Sequence, residues 1–388
     1  MSKENYRRLG DYIREVDVRN RDLEVKELLG VSISKEFIPS IANTIGTDMS
    51  SYKVVEPLQF AYGPVTSRNG DKVSIALYTG KGKIIISQAY TVFEVKNQDE
   101  LLPEYLMMWF RRPEFDRYAR FKSHGSAREI FSWEEMCDVF LPIPSIEQQR
   151  KIVAEYETIS RRIRLNKQII TRLEETAQTL YRKMFVDEID KENLPEGWRM
   201  GVLGEISEIN PRLILRKNEK CSFVEMDALP TEGFGIKKIV QKLYLGGTKF
   251  QNSDVLFARI TPCMENGKAA VVKTLLPNEI AAGSTEFIIL RGKDIQLTGL
   301  LSAIVRNQEF KIFAKKRQTG SDGRQRVEAD SLRSFPMVIP STLKLKNIES
   351  MFYRILSHSL VSDQENKLLI KLQSLLLAKI GQKIKGYE

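Results

Sequence analysis

The sequence predicts an α+β chain: two pseudo-repeated globular domains joined by two long helices that pair as an antiparallel coiled coil. Three observations carry this expectation. A heptad seam runs through residues 152–184 without a slip, the whole plan restarts roughly 195 positions downstream, and short strand-like runs are punctuated by turn residues. The expected divisions are 1–144 for the first domain, 145–186 for the central helix, 187–340 for a linker and second domain, and 341–388 for the C-terminal helix.

In the first segment, Lys83-Ile-Ile-Ile-Ser and Tyr90-Thr-Val-Phe-Glu-Val have strand composition. Gly63-Pro64, Asn69-Gly70 and Gly80-Lys-Gly82 read as turns between neighbouring strands. Pro103 to Phe110 reads as a helix, because a proline in the first turn lacks only an amide that would be unpaired there.

The central helix follows Leu141-Pro-Ile-Pro144, which keeps the backbone extended, and Ser145 with Gln148 fits a capping box. Its seam is Ile152, Tyr156, Ile159, Ile163, Asn166, Ile170, Leu173, Ala177, Leu180 and Met184, with charged residues between. So narrow a stripe wants one partner helix, and at ~1.5 Å per residue it spans roughly 50 Å, enough for a rigid spacer. A long core helix of one globular domain would show a broader apolar face.

Asp187 to Gly197 reads as a linker. The first plan then returns: Leu203-Gly-Glu-Ile echoes Leu9-Gly-Asp-Tyr, Phe257-Ala echoes Phe60-Ala, and Ile339-Pro-Ser341 echoes Ile143-Pro-Ser145. The second helix keeps the heptad phase through Ile348, Phe352, Ile355, Leu369, Leu376 and Ile380, but Ser359, Ser362, Asn366 and Gln373 also fall on its seam. Set head to tail, the middles of the helices meet and place Asn366 or Ser362 near Asn166. A buried polar pair lowers stability while fixing register.

Sixty Lys and Arg against fifty Asp and Glu give a net charge of +10 in 388 residues, which suits a polyanionic partner. Cys137, Cys221 and Cys263 show no ligand spacing, and His124 and His358 are the two histidines, so no metal site is expected. The N-terminal residues carry charge without an apolar run behind them, and no run approaches the ~18 residues of a membrane span. The expectation is a cytoplasmic protein. No phosphate-binding glycine loop with a Lys-Ser/Thr ending occurs, Asn210-Pro211-Arg212 only approaches an amino-methylation motif, and Pro113-Glu-Phe-Asp116 lacks the rest of a nuclease cluster. No catalytic residue and no cofactor are assigned to this chain.

Two loops combine turn residues with groups that can read base edges and phosphates. The first offers Thr66, Ser67, Arg68, Asn69 and Lys72; the second, at the matching place in the repeat, offers Arg259, Thr261, Asn266 and Lys268. Taken singly, either is equally a polar hairpin turn with Asn-Gly chosen for positive φ. A second pair of basic, glycine-containing segments carries Lys122, Ser123, His124 and Arg128, and Arg317, Gln318, Ser321, Arg324, Gln325 and Arg326. Such segments suit phosphate contacts, or are solvated basic loops.

These residues resemble the specificity subunits of type I restriction-modification enzymes over nearly the whole chain. The resemblance rests on Val31-Ser-Ile-Ser-Lys-Glu-Phe-Ile-Pro-Ser40, Phe60-Ala-Tyr-Gly-Pro-Val-Thr-Ser-Arg-Asn-Gly70, the run from Tyr105 to Ala119, and Leu141-Pro-Ile-Pro-Ser-Ile-Glu-Gln-Gln-Arg-Lys-Ile152. Leu194-Pro-Glu-Gly-Trp198, Val255 to Lys268 and Gly283-Ser-Thr-Glu-Phe287 extend it into the second half. It implies two target-recognition domains reading a split, asymmetric site on double-stranded DNA, with paired helices setting the gap. It also implies methyltransferase subunits that use S-adenosylmethionine and restriction/translocase subunits that use ATP and Mg. The Leu-Pro-x-Gly-Trp signature stands before the second domain only, and the second seam is unusually polar.

Other readings stay open on the residues alone, the last of them a stand-alone nuclease or methyltransferase, which would modify DNA with no partner present. One is the recognition subunit of a related system whose partner fuses methylation and cleavage; another is a coiled-coil scaffold that binds proteins, for which salt would matter little.

Overall fold

The computed structural model describes residues 6–40, 46–67, 69–70, 72–123, 129–187, 189–321 and 324–381. The chain divides into two units whose boundaries fall between Arg161 and Arg162 and between Leu368 and Leu369. Each unit therefore takes a stretch of both long helices. The sequence reading cuts instead ahead of each helix; the difference arises because each domain's core continues onto helix residues.

In the first unit a four-stranded sheet has the order Ile13–Val16, Thr91–Val95, Phe60–Tyr62, Ile75–Leu77, all antiparallel. Phe60 stands opposite Phe93, and their rings stack at 4.7 Å. Asn69-Gly70 lies in the connection between two paired strands, with Gly70 at φ +61°. Gly80-Lys-Gly82 joins strands of different sheets, because Ile84–Ile86 pairs with Lys53–Val55. Helices α1 (Pro103–Phe110) and α2 (Pro113–Lys122) each open on a proline, and α3 (Trp133–Cys137) is capped by Ser132.

Helix α4 spans Ile146–Arg182 and continues as a π turn, Lys183–Asp187. Ser145 Oγ accepts from the Gln148 amide at 3.4 Å, half of the expected capping box. The glutamine that fixes the start is Gln149. Fully buried, it accepts from the Leu102 amide at 2.9 Å and donates to the carbonyls of Glu100 and Pro144 at 2.8 and 2.9 Å.

The second unit repeats the sheet: Ser207–Ile209, Phe287–Gly292, Val255–Ala258, Ala269–Val271, again all antiparallel. Helices α5 (Leu297–Arg306) and α6 (Gln308–Lys315) occupy the places of α1 and α2 in the order of elements. Before α4, Tyr6–Arg8 pairs with Phe140–Pro142; before α7 (Thr342–Ile380), Arg199–Val202 pairs with Pro336–Ile339. The internal duplication thus reaches the level of strand order and register.

Within each unit the α4 and α7 stretches lie side by side and antiparallel. In the first, Gln373 Nε2 donates to Ser160 Oγ at 2.8 Å, while Ile152 and Tyr156 join a core with Leu377 and Ile380. In the second, Arg162 pairs with Glu365 at 2.8 Å, while Leu173 and Ala177 share a cleft with Phe352, Ile355 and Leu356. The seam positions Ile152, Tyr156, Ile159, Ile163, Ile170, Leu173, Leu180, Ile348, Phe352, Ile355, Leu369 and Leu376 are all buried or half-buried. Past Ala177 the deepest residues are Tyr181 and Phe185, at a spacing of four, so the buried face slips by one position as α4 enters the second core.

The polar layer is built differently from the expected amide pair. Asn166, 1% exposed, donates to Glu365 Oε2 at 2.8 Å, and Arg162 grips the same carboxylate through two nitrogens. Those bonds, Arg162 first, hold Glu365 below the usual carboxylate range. Asn366 is buried too, and its amide oxygen has no partner among the described residues. Asn166→Leu is expected to raise the thermal midpoint while loosening helix register, checked by calorimetry and by cross-linking mass spectrometry.

Candidate nucleic-acid interface

The structure brings the two sequence loops of each domain together. In the first, the Thr66 amide donates to the Glu129 carbonyl at 2.9 Å, and its hydroxyl lies 3.2 Å from the same oxygen and 3.0 Å from Ser123 Oγ. In the second, the Thr261 amide donates to the Gln325 carbonyl at 3.0 Å, its hydroxyl lies 3.3 Å from that oxygen, and Gln318 Nε2 donates to it at 2.9 Å. A neighbouring bond repeats as well: Phe131 to the Pro64 carbonyl, and Val327 to the Arg259 carbonyl, both 2.9 Å. One threonine in each domain thus staples a sheet loop to the segment after the paired short helices.

That geometry sorts the candidate residues. Thr66 is 1% exposed, so it anchors the loop rather than facing a ligand. Asn69 donates to the Val65 carbonyl at 3.2 Å and shapes the turn. Ser123 donates to the Ala119 carbonyl at 2.7 Å, closing α2. Ser67, Lys72, Asn266, Ser321 and Arg324 are exposed. Arg68, His124 and Arg128 lie outside the described residues.

Several cations meet carboxylates that sequence spacing does not reveal. Lys122 pairs with Glu135 at 3.1 Å, and Arg326 holds Glu286 with contacts of 2.8 to 3.0 Å. These bonds push both cations' pKa values upward, keeping them charged. Yet their charge is largely answered inside the protein, so they stiffen loops more than they attract phosphate. Arg317 lies over the Phe313 ring at 3.3 Å, and Lys268 Nζ sits 3.3 Å from the Met226 carbonyl. Thr261, Gln318 and Gln325 are half-buried in the staple. Arg259 is half-buried, and its Nε has no partner among the described residues.

Sequence reasoning misses the supports behind these loops. Lys35, 6% exposed, reaches Asp116 at 2.7 Å and the Phe110 carbonyl at 2.6 Å, and Asp116 also accepts from the Val73 amide at 3.1 Å. Burial pushes the Lys35 pKa down, against the pull of Asp116. This pair fixes the exit of the 63–72 loop and commits Asp116 to structure. In the second unit Arg306 meets Glu174 at 2.8 Å and the carbonyls of Gly233 and Pro230 at 2.6 and 3.2 Å, while the Gly233 amide donates to Glu174 at 2.7 Å. It also bonds the Thr231 carbonyl and lies over the Phe234 ring at 4.7 Å. Among the described residues no cluster suits a metal ion, and no helix is long and apolar enough to cross a membrane.

Residues 35–175 match the family model of the type I restriction modification DNA specificity domain. Over that stretch the chain is similar to the specificity domain. The matched stretch runs from Lys35 through the first loop pair and well into α4. Over 171 residues the chain is 33% identical to the Type I restriction enzyme EcoAI specificity subunit of Escherichia coli, covering 42% of this chain and 29% of that protein. Against the EcoEI specificity subunit of the same organism the identity is 31% over 171 residues, covering 42% and 28%. The match thus spans less than a third of the length of these curated relatives. The crystal structure of a Type-I restriction-modification system S subunit from M. genitalium aligns over 98% of this chain and 96% of that one, with 11% identity and a TM-score of 0.59. Beyond the matched stretch, then, the likeness is one of fold.

Proposed function

We propose that this chain is the DNA-recognition subunit of a type I restriction-modification complex. It reads the two halves of an asymmetric site with its two domains and performs no chemistry itself. The observation that carries this reading is the stapled loop pair, built with the same hydrogen bonds in both domains, the first of them within the stretch similar to the specificity domain. Exposed Ser67, Lys72, Asn266, Ser321 and Arg324 are the residues best placed for bases and phosphates, with Thr66, Thr261 and Ser123 holding their frames. Methyltransferase subunits docked on the helices would supply S-adenosylmethionine chemistry, and restriction/translocase subunits would use ATP and Mg. The setting is the cytoplasm.

The spacing of the half-sites follows from the helices. One turn of DNA is ~34 Å, and the seam's roughly 50 Å of helix is the length on which this reading makes the half-site gap depend. Inserting or deleting residues between Ile163 and Ala177 is therefore expected to change the gap between half-sites and leave the bases of each half alone. Mapping methylated bases in DNA exposed to the assembled complex checks this; changed base preference at constant spacing contradicts it. A protein-binding scaffold instead predicts duplex binding that is weak and nearly independent of salt.

A further inference from the structure

Phe121 is 80% exposed, an unusual place for a phenylalanine. It sits in the last turn of α2, on the face opposite the buried Phe115 and Ala119. Its base is clamped on both sides. Arg120 is ion-paired to Glu129, the residue whose carbonyl takes the Thr66 staple, and Lys122 is paired to Glu135. Ser123, two residues on, contacts Thr66 itself. Arg120 and Ser123 are thus tied to the loop pair and Lys122 to α3, while the ring stands out in water. A ring so mounted loses little freedom on binding, and that favours its use as a contact. Ile130, 43% exposed, adds an apolar spot on the segment bridged to Val65.

We propose that Phe121 is an apolar wedge by which the first domain enters a duplex and unstacks one base step of its half-site. The inference rests on the DNA-recognition reading above and adds a residue outside its polar contact set. Its place beside the Thr66 staple, next to exposed Ser67, favours the duplex proposed for that loop over an apolar protein surface, although the neighbouring Arg117 is itself paired with Glu114. Apolar side chains that kink DNA act in this way, pushing between stacked bases. The second domain carries Lys316 at the corresponding place, exposed and cationic, so the two halves are read by different means. Wedge-assisted readout favours a flexible pyrimidine–purine step in the first half alone.

The test uses the full chain and a duplex oligonucleotide carrying the site mapped by methylation, with 2-aminopurine placed in turn at each step of both halves. Binding of the unaltered chain is expected to raise 2-aminopurine fluorescence at one step of the first half. Phe121→Ala should abolish that rise and weaken binding about tenfold or more, with an unchanged slope of affinity against salt, since no phosphate contact is lost. Phe121→Leu should retain part of both effects. Lys72→Ala should instead lower the salt slope by about one, leaving the fluorescence rise in place. Thermal unfolding of Phe121→Ala should match the parent, because the ring packs on little. Binding within twofold of the parent, or loss of partner assembly without loss of DNA binding, would remove the wedge alone. No salt-dependent duplex binding by the unaltered chain would remove the DNA reading itself.

Discussion

Gly299→Val is expected to destabilise the second unit by about 3 kcal/mol, read as a lowered urea midpoint and lost amide protection in α5. A Cβ at Gly299 would lie 2.4 Å from the Phe352 carbonyl carbon and 2.4 Å from the Tyr353 amide nitrogen. Both are backbone atoms of α7, so no rotamer change relieves the clash and α5 must lift away. Valine gains a little helix propensity over glycine here, by less than ~1 kcal/mol, and the overlap outweighs that gain. The functional consequence follows from the proposed division of labour: base preference in the second half-site should weaken while the first half is read as before. A change below about 1 kcal/mol would mean that the two helices have room to part.

Arg306→Met is expected to cost about 3–5 kcal/mol, because it strands a carboxylate with 17% of its side chain exposed beside loop carbonyls that lose their donor. Burial pulls the arginine's pKa below its ordinary value, with Glu174 as the opposing influence. Arg306→Lys should rescue little, since one ammonium cannot span Glu174 and the carbonyls of residues 230–233 together. Hydrogen exchange at 230–235 and the thermal midpoint check both variants. If lysine restores parental stability, the planar fork is unnecessary and the site is only a charge.

Much of this molecule is legible in its residues because its strongest signals are periodic or repeated. The heptad seam gives α4, and the restart of the plan leads to two sheets with the same strand order. The motifs at 60–70 and 141–152 carry a family resemblance that the match over residues 35–175 bears out. Other features depend on contacts that no short spacing encodes. Lys122 and Arg326 look like phosphate ligands until Glu135 and Glu286 are brought beside them. Thr66 reads as a surface hydroxyl until Glu129 and Ser123 close over it. Asn166 is foreseen as buried, but a carboxylate one residue from the expected amide proves to be its partner. Phe121, inside a segment read only for its charges, becomes informative once its exposure is known.

The first domain borrows its finishing pieces from far along the chain. Leu377 and Ile380 complete the core begun by residues 9–141, Tyr6 donates to the Gly381 carbonyl at 3.2 Å, and a Cβ at Gly381 would meet Arg112 at 2.0 Å. On the ribosome, therefore, the earliest-made body waits with an open seam until residues 369–381 emerge, after the entire later body has been synthesised. Nascent chains stalled short of Leu369 should be readily cut by protease within residues 103–123, a region sealed in the released chain, where residues 377–381 pack against it.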